Sequence, residues 1–216
     1  MAFAERFRGV PAHPYSQGFD LTLWPNRLQL PLTWKRPRRI FVNSMSDLFH
    51  EAIPDDFIRR VFATMEAADW HIFQVLTKRP RRMVEMAAAL PWPPNVWAGT
   101  SVELDRYAWR SNLYLSEVPA AIRFVSAEPL LGPLTSLDMR PLDWLITGGE
   151  SGAHHRPIDP EWVRDLRDRA EAAGVAFFHK QWGGRTAKSG GRQLDGRTWD
   201  EFPLPTRDVS MGGLGA

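Results

Sequence analysis

Six short stretches of the chain are apolar at almost every position, and each ends in polar residues or glycine. They are Arg39–Asn43 (RIFVN), His71–Leu76 (HIFQVL), Asn95–Gly99 (NVWAG), Ile122–Ser126 (IRFVS), Asp143–Thr147 (DWLIT) and Val175–His179 (VAFFH). Short runs of β-branched and aromatic residues without alternation predict strands covered on both faces, the pattern of parallel sheets. Between several of them the spacing turns helical. Pro54–Ala68 places Phe57, Val61, Phe62 and Met65 on one stripe, with acids in the first turn where the helix dipole favours them. Arg79–Leu90 and Asp105–Val118 read as helices in the same way. Asp159–Ala173 is the cleanest, with Asp159 as N-cap, Pro160 at the first helical position and Gly174 just past the end.

Strand starts are spaced by 21 to 32 residues, the length of one βα unit. The repetition predicts an α/β fold with a parallel sheet, either a doubly wound open sheet or a barrel. Near the end of the chain Asp195-Gly196 separates two short runs, a signal for a β-hairpin with a type I′ turn. Residues 1–206 read as one domain. Within it, 1–38 form an N-terminal extension covering a sheet edge and 184–206 a hairpin tail, and 207–216 are expected to be disordered.

Composition changes this picture at two points. The net charge is only +2, so any nucleic-acid contact has to come from a local patch and not from a globally basic surface. There are no cysteines, which excludes disulfides, zinc–thiolate sites and thiolate-held iron–sulfur clusters built from these residues alone. No apolar run approaches the roughly 18 residues that span a bilayer, and MAFAERFRG has no signal-peptide core. A cytoplasmic protein without a membrane partner is the expectation.

The candidate chemistry lies at the carboxyl ends of the strands, where parallel α/β folds bind ligands. The first strand runs into Asn43, Ser44 and Asp47, and the second into Thr77, Lys78 and Arg79. Thr100 and Glu103 follow the third, Glu128 the fourth, Gly148, Gly149 and Glu150 the fifth, and Lys180, Gln181 and Trp182 the sixth. Every strand delivers a carboxylate, a cation, an amide or a glycine turn to one rim. The mixture of charges predicts a small polar, zwitterionic or phosphorylated ligand. The pentapeptide KRPRR occurs twice, at Lys35–Arg39 and Lys78–Arg82. The copies fall at opposite ends of the sheet, so they do not form one patch. The first reads as a solvated strand entry, and the second points Lys78 and Arg79 into the rim. His154-His155 lacks metal-ligand spacing, and no metal site is expected.

The segments RIFVNSMSDLFH, FQVLTKRP, NVWAGTSVE, RFVSAEPLLGPL, DWLITGGESG, HKQWGG and LDGRTWDE together resemble a phage-associated bacterial family of unknown function. Members carry, upstream of the counterpart of Phe3–Gly9, a three-cysteine segment similar to the cluster loop of radical S-adenosylmethionine enzymes. The resemblance implies a parallel βα barrel, partial and TIM-like with about six strands and its first strand absent, with S-adenosylmethionine as cofactor. It also implies an iron–sulfur cluster, which this chain alone does not hold. Either the chain starts late or the cluster has been lost; the enzyme reading depends on an upstream cysteine segment. Two other readings compete. One is a non-enzymatic nucleic-acid-binding protein contacting its ligand through Trp182, Arg185, Arg192 and Trp199. The other is a non-redox barrel for small molecules or phosphates.

Overall fold

The computed structural model describes residues 4–13, 15–43, 46–186 and 189–203. Ser44 of the expected rim, and the expected disorder of 207–216, lie outside the described residues. Six strands, β1 (Arg39–Val42), β2 (Ile72–Thr77), β3 (Val96–Ser101), β4 (Arg123–Ala127), β5 (Trp144–Gly148) and β6 (Ala176–Gln181), form one sheet. They lie in the order of the sequence, and every neighbouring pair is parallel. A doubly wound sheet reverses its strand order at a switch point. This sheet does not, and it curls into a half-barrel.

The two faces of the sheet bury different residues. Outward, Phe73, Val75, Val125, Leu145 and Phe177 pack against Ile58, Phe62 and Met65 of α2 (Asp55–Ala67), Met83 and Met86 of α3 (Pro80–Ala87), and Val163 and Leu166 of α5 (Pro160–Ala173). Phe57 and Val61 flank that stripe, half-buried. On the concave side Trp97, Phe124, Trp144 and Ile146 form a second cluster with Leu76 and Phe178. Phe202 from the C-terminal tail inserts at its amino end, 5.0 Å from the Trp144 ring and 5.4 Å from Phe178. The Arg39 guanidinium lies 3.7 Å over the Phe202 ring. This stack covers the concave cluster at the amino end of the sheet.

Local chemistry accounts for the elements that match expectation. The Asp159 carboxylate accepts the Glu161 N–H at 2.9 Å, and Gly174 ends α5 at φ 70°, the left-handed conformation that glycine adopts at least cost. The tail forms β7 (Gln193–Leu194) and β8 (Arg197–Thr198), with Asp195 at φ 53° and Gly196 at φ 75°, as a type I′ turn requires. The tail also covers the outer edge of β6, where His179 donates its N–H to Trp199 O at 2.9 Å. At the opposite edge, β1 has no strand partner on its outer side among the described residues, and Phe41 is 43% exposed. The N-terminal segment faces β1 across a cavity and includes the single-turn helix α1 (Leu30–Thr33).

One predicted helix is corrected. Asp105–Val118 breaks into a 3-10 turn at Asp105–Tyr107, the single turn α4 (Trp109–Asn112) and a second 3-10 turn at Leu115–Glu117. Polar side chains tie this stretch to the neighbouring loop. The Asp105 carboxylate accepts from Ser136 N at 2.7 Å and Ser136 Oγ at 2.8 Å, while Asn112 accepts from Asp138 N and donates to Ser136 O. Such bonds compete with a continuous helical ladder. Among the described residues no helix is long and apolar enough to cross a membrane.

Candidate functional site

The rim residues fall into three groups. The largest joins the ends of β1, β2 and β3. Asp47 sits in a tight turn in which Oδ1 accepts the Phe49 N–H at 3.0 Å, and the burial of Leu48 and Phe49 fixes that turn on the core. From there the carboxylate accepts Thr77 Oγ1 at 2.7 Å, Lys78 N at 3.0 Å and Arg79 Nη1 at 3.0 Å. Arg79 Nε also donates to Glu51 at 2.8 Å. Partial burial opposes the Arg79 charge, but the hydrogen bonds to Glu51 and Asp47 outweigh it and raise its pKa. The Lys78 ammonium pairs with Glu103, whose other oxygen accepts Arg110 Nη1 at 3.1 Å. The Arg110 guanidinium lies 4.2 Å over the Tyr107 ring. Five alternating charges, Glu51, Arg79, Asp47, Lys78 and Glu103, are thus linked through side chains and the main chain of residues 78–79.

This group borders a cavity of about 1030 Å³. Asn43, Asp47, Thr77, Lys78, Arg79 and Ser101 line one side of it, and Gln17, Leu21, Trp24 and Arg27 of the N-terminal segment line the other. Asn43 turns the chain into the cavity wall at φ 57°.

The second group lies on the concave side of β4 to β6. Lys180 Nζ donates to Glu128 Oε2 at 2.9 Å, and the Glu128 side chain passes over Gly148. The third is peripheral. Both Glu150 oxygens are held by Arg156, which brings the carboxyl down to about 2. Gln181 bonds Ser151 Oγ at 3.1 Å. The GGESG turn runs alongside the Trp182–Gly184 main chain, with Gly149 N–H on Gln181 O at 2.8 Å and Gly184 N–H on Glu150 O at 2.9 Å.

Thr100 is buried and donates to Thr77 O at 2.9 Å, so it braces two strands. Trp182 donates its indole N–H to Gln193 O at 2.7 Å and packs 4.4 Å from the His179 ring. Of the tail residues, Arg185 is exposed and Arg192 lies over Phe178 at 5.1 Å. Trp199 is buried, edge-on to Phe177 and covered by Arg197 at 3.8 Å. Its faces are therefore turned into the protein.

Sequence reasoning missed Glu51 and Arg110, and it missed the N-terminal wall of the cavity. No spacing rule marks them, because loop geometry brings them to their partners. It also missed His179, which is fully buried beneath the rim, with Nδ1 3.0 Å from Thr147 Oγ1 and Nε2 unpartnered. Burial, and then the nearby Arg192 charge, push its pKa down from 6.5 to about 4. A histidine held neutral in the fold stabilises fully above pH 6.5, and the contribution is lost as pH falls from 6.5 toward 4. Urea unfolding at pH 7 and pH 5 is expected to differ by about 2 kcal/mol more in the wild type than in His179→Asn. Equal differences would remove His179 as the cause.

The arrangement covers nearly all of the region matched by one family. The chain belongs to the family described as Protein of unknown function (DUF5131), whose family model matches residues 1–203. No curated protein and no solved structure matches it. The DUF5131 match therefore brings no activity to the rim, and its geometry carries the functional reading.

Proposed function

We propose that the protein binds a small polar ligand, bearing both a carboxylate or phosphate and an amino or hydroxyl group, at the β1–β3 end of the carboxyl rim. S-adenosylmethionine is the first candidate. The resemblance to radical S-adenosylmethionine enzymes of a phage-associated family implies it, and its amino-acid end carries both charges. One observation supports the reading above others: Asp47, Lys78 and Arg79 line the wall of the 1030 Å³ cavity, with Glu103 holding Lys78 from behind. A ligand carboxylate would replace Glu51 on the half-exposed Arg79, and the released Glu51 would meet the ligand amino group. Asp47, its four acceptor positions filled by Phe49 N, Thr77 Oγ1, Lys78 N and Arg79 Nη1, would hold Arg79 in place.

The resemblance also implies an iron–sulfur cluster. The 216 residues contain no cysteine, and among the described residues no group of three His, Cys, Asp or Glu is placed to hold a metal ion. The residues present do not fit a thiolate-held cluster, so the proposal is one of binding.

Thermal unfolding with S-adenosylmethionine, S-adenosylhomocysteine, nucleotides and sugar phosphates tests it. A ligand at a hundred times its Kd adds about 2.7 kcal/mol, which raises Tm by roughly 5–10 °C for a chain of this size. The rise is expected for wild type and not for Asp47→Asn. A rise with sugar phosphates alone would favour the non-redox barrel, and no rise with any of them would end the proposal.

A further inference from the structure

The amino end of the sheet carries a second charged surface, a strand's length from the rim. Lys35, Arg36, Arg38 and Arg39 are all exposed, and among the described residues none has an acidic partner within ion-pair distance. Elsewhere Arg79, Arg82, Arg110, Arg156, Arg164 and Arg167 each hold a carboxylate. In a chain of net charge +2, this run therefore concentrates positive potential that the protein itself does not neutralise. Asp69, next to Trp70 in the sequence, is exposed, but it forms no ion pair with the run.

Aromatic rings are set among these cations. The Arg38 guanidinium lies 4.7 Å from the Trp34 ring centroid. Trp70, 38% exposed, donates its indole N–H to Trp34 O at 2.7 Å, which fixes the ring while leaving part of it open to solvent. The loop is held from below by the fully buried His71. Its Nδ1 accepts the Arg38 N–H at 3.1 Å and its Nε2 lies 3.0 Å from Pro31 O. A loop anchored in this way presents its charges already ordered, which lowers the entropic cost of binding.

We propose that this basic and aromatic surface binds single-stranded nucleic acid. Uncompensated cations in a run select a polyanion, and the open indole selects one whose bases are unstacked. Lys35, Arg36, Arg38 and Arg39 meet successive phosphates, and Trp70 stacks on a base. The surface is independent of the rim, so failure of the rim ligand leaves this test untouched.

Fluorescence anisotropy of a labelled 20-residue oligo(dT), titrated between 50 and 300 mM KCl, measures it. Four phosphate contacts give a slope of log K against log salt of about −3, at about 0.7 per contact on single strands. Lys35→Glu combined with Arg36→Glu changes two exposed side chains, and it is expected to halve that slope to about −1.4 and to weaken binding by about tenfold or more. Trp70→Ala is expected to weaken binding by about fivefold or more through lost stacking. Binding that is absent or insensitive to salt would overturn the proposal. So would a double variant that binds like wild type, tighter binding of a duplex of equal length, or equal affinity for polyglutamate, which would assign the surface to an acidic protein.

Discussion

Glu103→Ala is expected to destabilise the fold by about 3 kcal/mol, the usual cost of removing one member of a buried ion pair. Glu103 is 7% exposed and receives both Lys78 and Arg110. The two cations respond differently to its loss. Lys78 is half exposed and regains water. Arg110 is mostly buried, its Nε already lacks a partner, and Ser101 O with the Tyr107 and Trp109 rings would remain to it. The loss therefore comes from the stranded guanidinium. Adding Arg110→Met should recover most of it, because a buried charge would be replaced by an apolar side chain of similar length. Urea midpoints of the single and double variants give the answer. A single variant within about 0.5 kcal/mol of wild type, the range of surface changes away from such features, would mean that the pair is solvated and that the rim is looser than described.

Gly149→Ala should have a comparable effect, at about 3 kcal/mol, the upper end for overpacking a close contact. A Cβ at Gly149 would stand 2.0 Å from Trp182 O and 2.5 Å from Trp182 C, both main-chain atoms that no rotamer can move aside. The extension of β5 would have to part from that of β6, breaking the Gly149 N–H bond to Gln181 O and the Gly184 N–H bond to Glu150 O. Its neighbour provides the control. At Gly148 the nearest atom is Glu128 Cγ at 3.1 Å, on a flexible side chain. Gly148→Ala should thus cost less than about 1 kcal/mol, the lower end for such additions, while shifting Glu128 away from Lys180. Equal costs at the two positions would contradict the packing described here. This contact also accounts for the GGESG motif: its second glycine answers to a neighbouring main chain, whatever ligand the rim holds.

Much of the architecture is legible in the sequence because it depends on local patterns. β3, β4 and β5 are buried on both faces, β1, β2 and β6 less completely, yet all six runs are mostly apolar, and each strand begins within one residue of its expected start. Asp159, Pro160 and Gly174 mark a helix through its own caps, and Asp195-Gly196 sets a hairpin through its own backbone angles. Legibility stops where partners come from elsewhere. Asp105–Val118 has helical spacing, yet Asp105 and Asn112 bond to residues 136 and 138 and the helix breaks. At the rim, parallel topology gathers the strand ends as expected, but side-chain pairing divides them. Asp47, Thr77, Lys78, Arg79 and Glu103 form one network, Glu128 and Lys180 another, and Glu150 turns to Arg156. The cavity wall contributed by residues 17–27 carries no motif, because it depends on how the N-terminal segment lies beside β1.

Equilibrium dialysis of radiolabelled S-adenosylmethionine against wild type, Asp47→Asn and Glu150→Gln measures the binding proposed for the rim. If the β1–β3 network holds the ligand, wild type and Glu150→Gln retain it equally and Asp47→Asn loses about tenfold or more in affinity, the weight of one charge-assisted contact. Undiminished binding by Asp47→Asn, or a loss confined to Glu150→Gln, would place the ligand elsewhere and contradict the account.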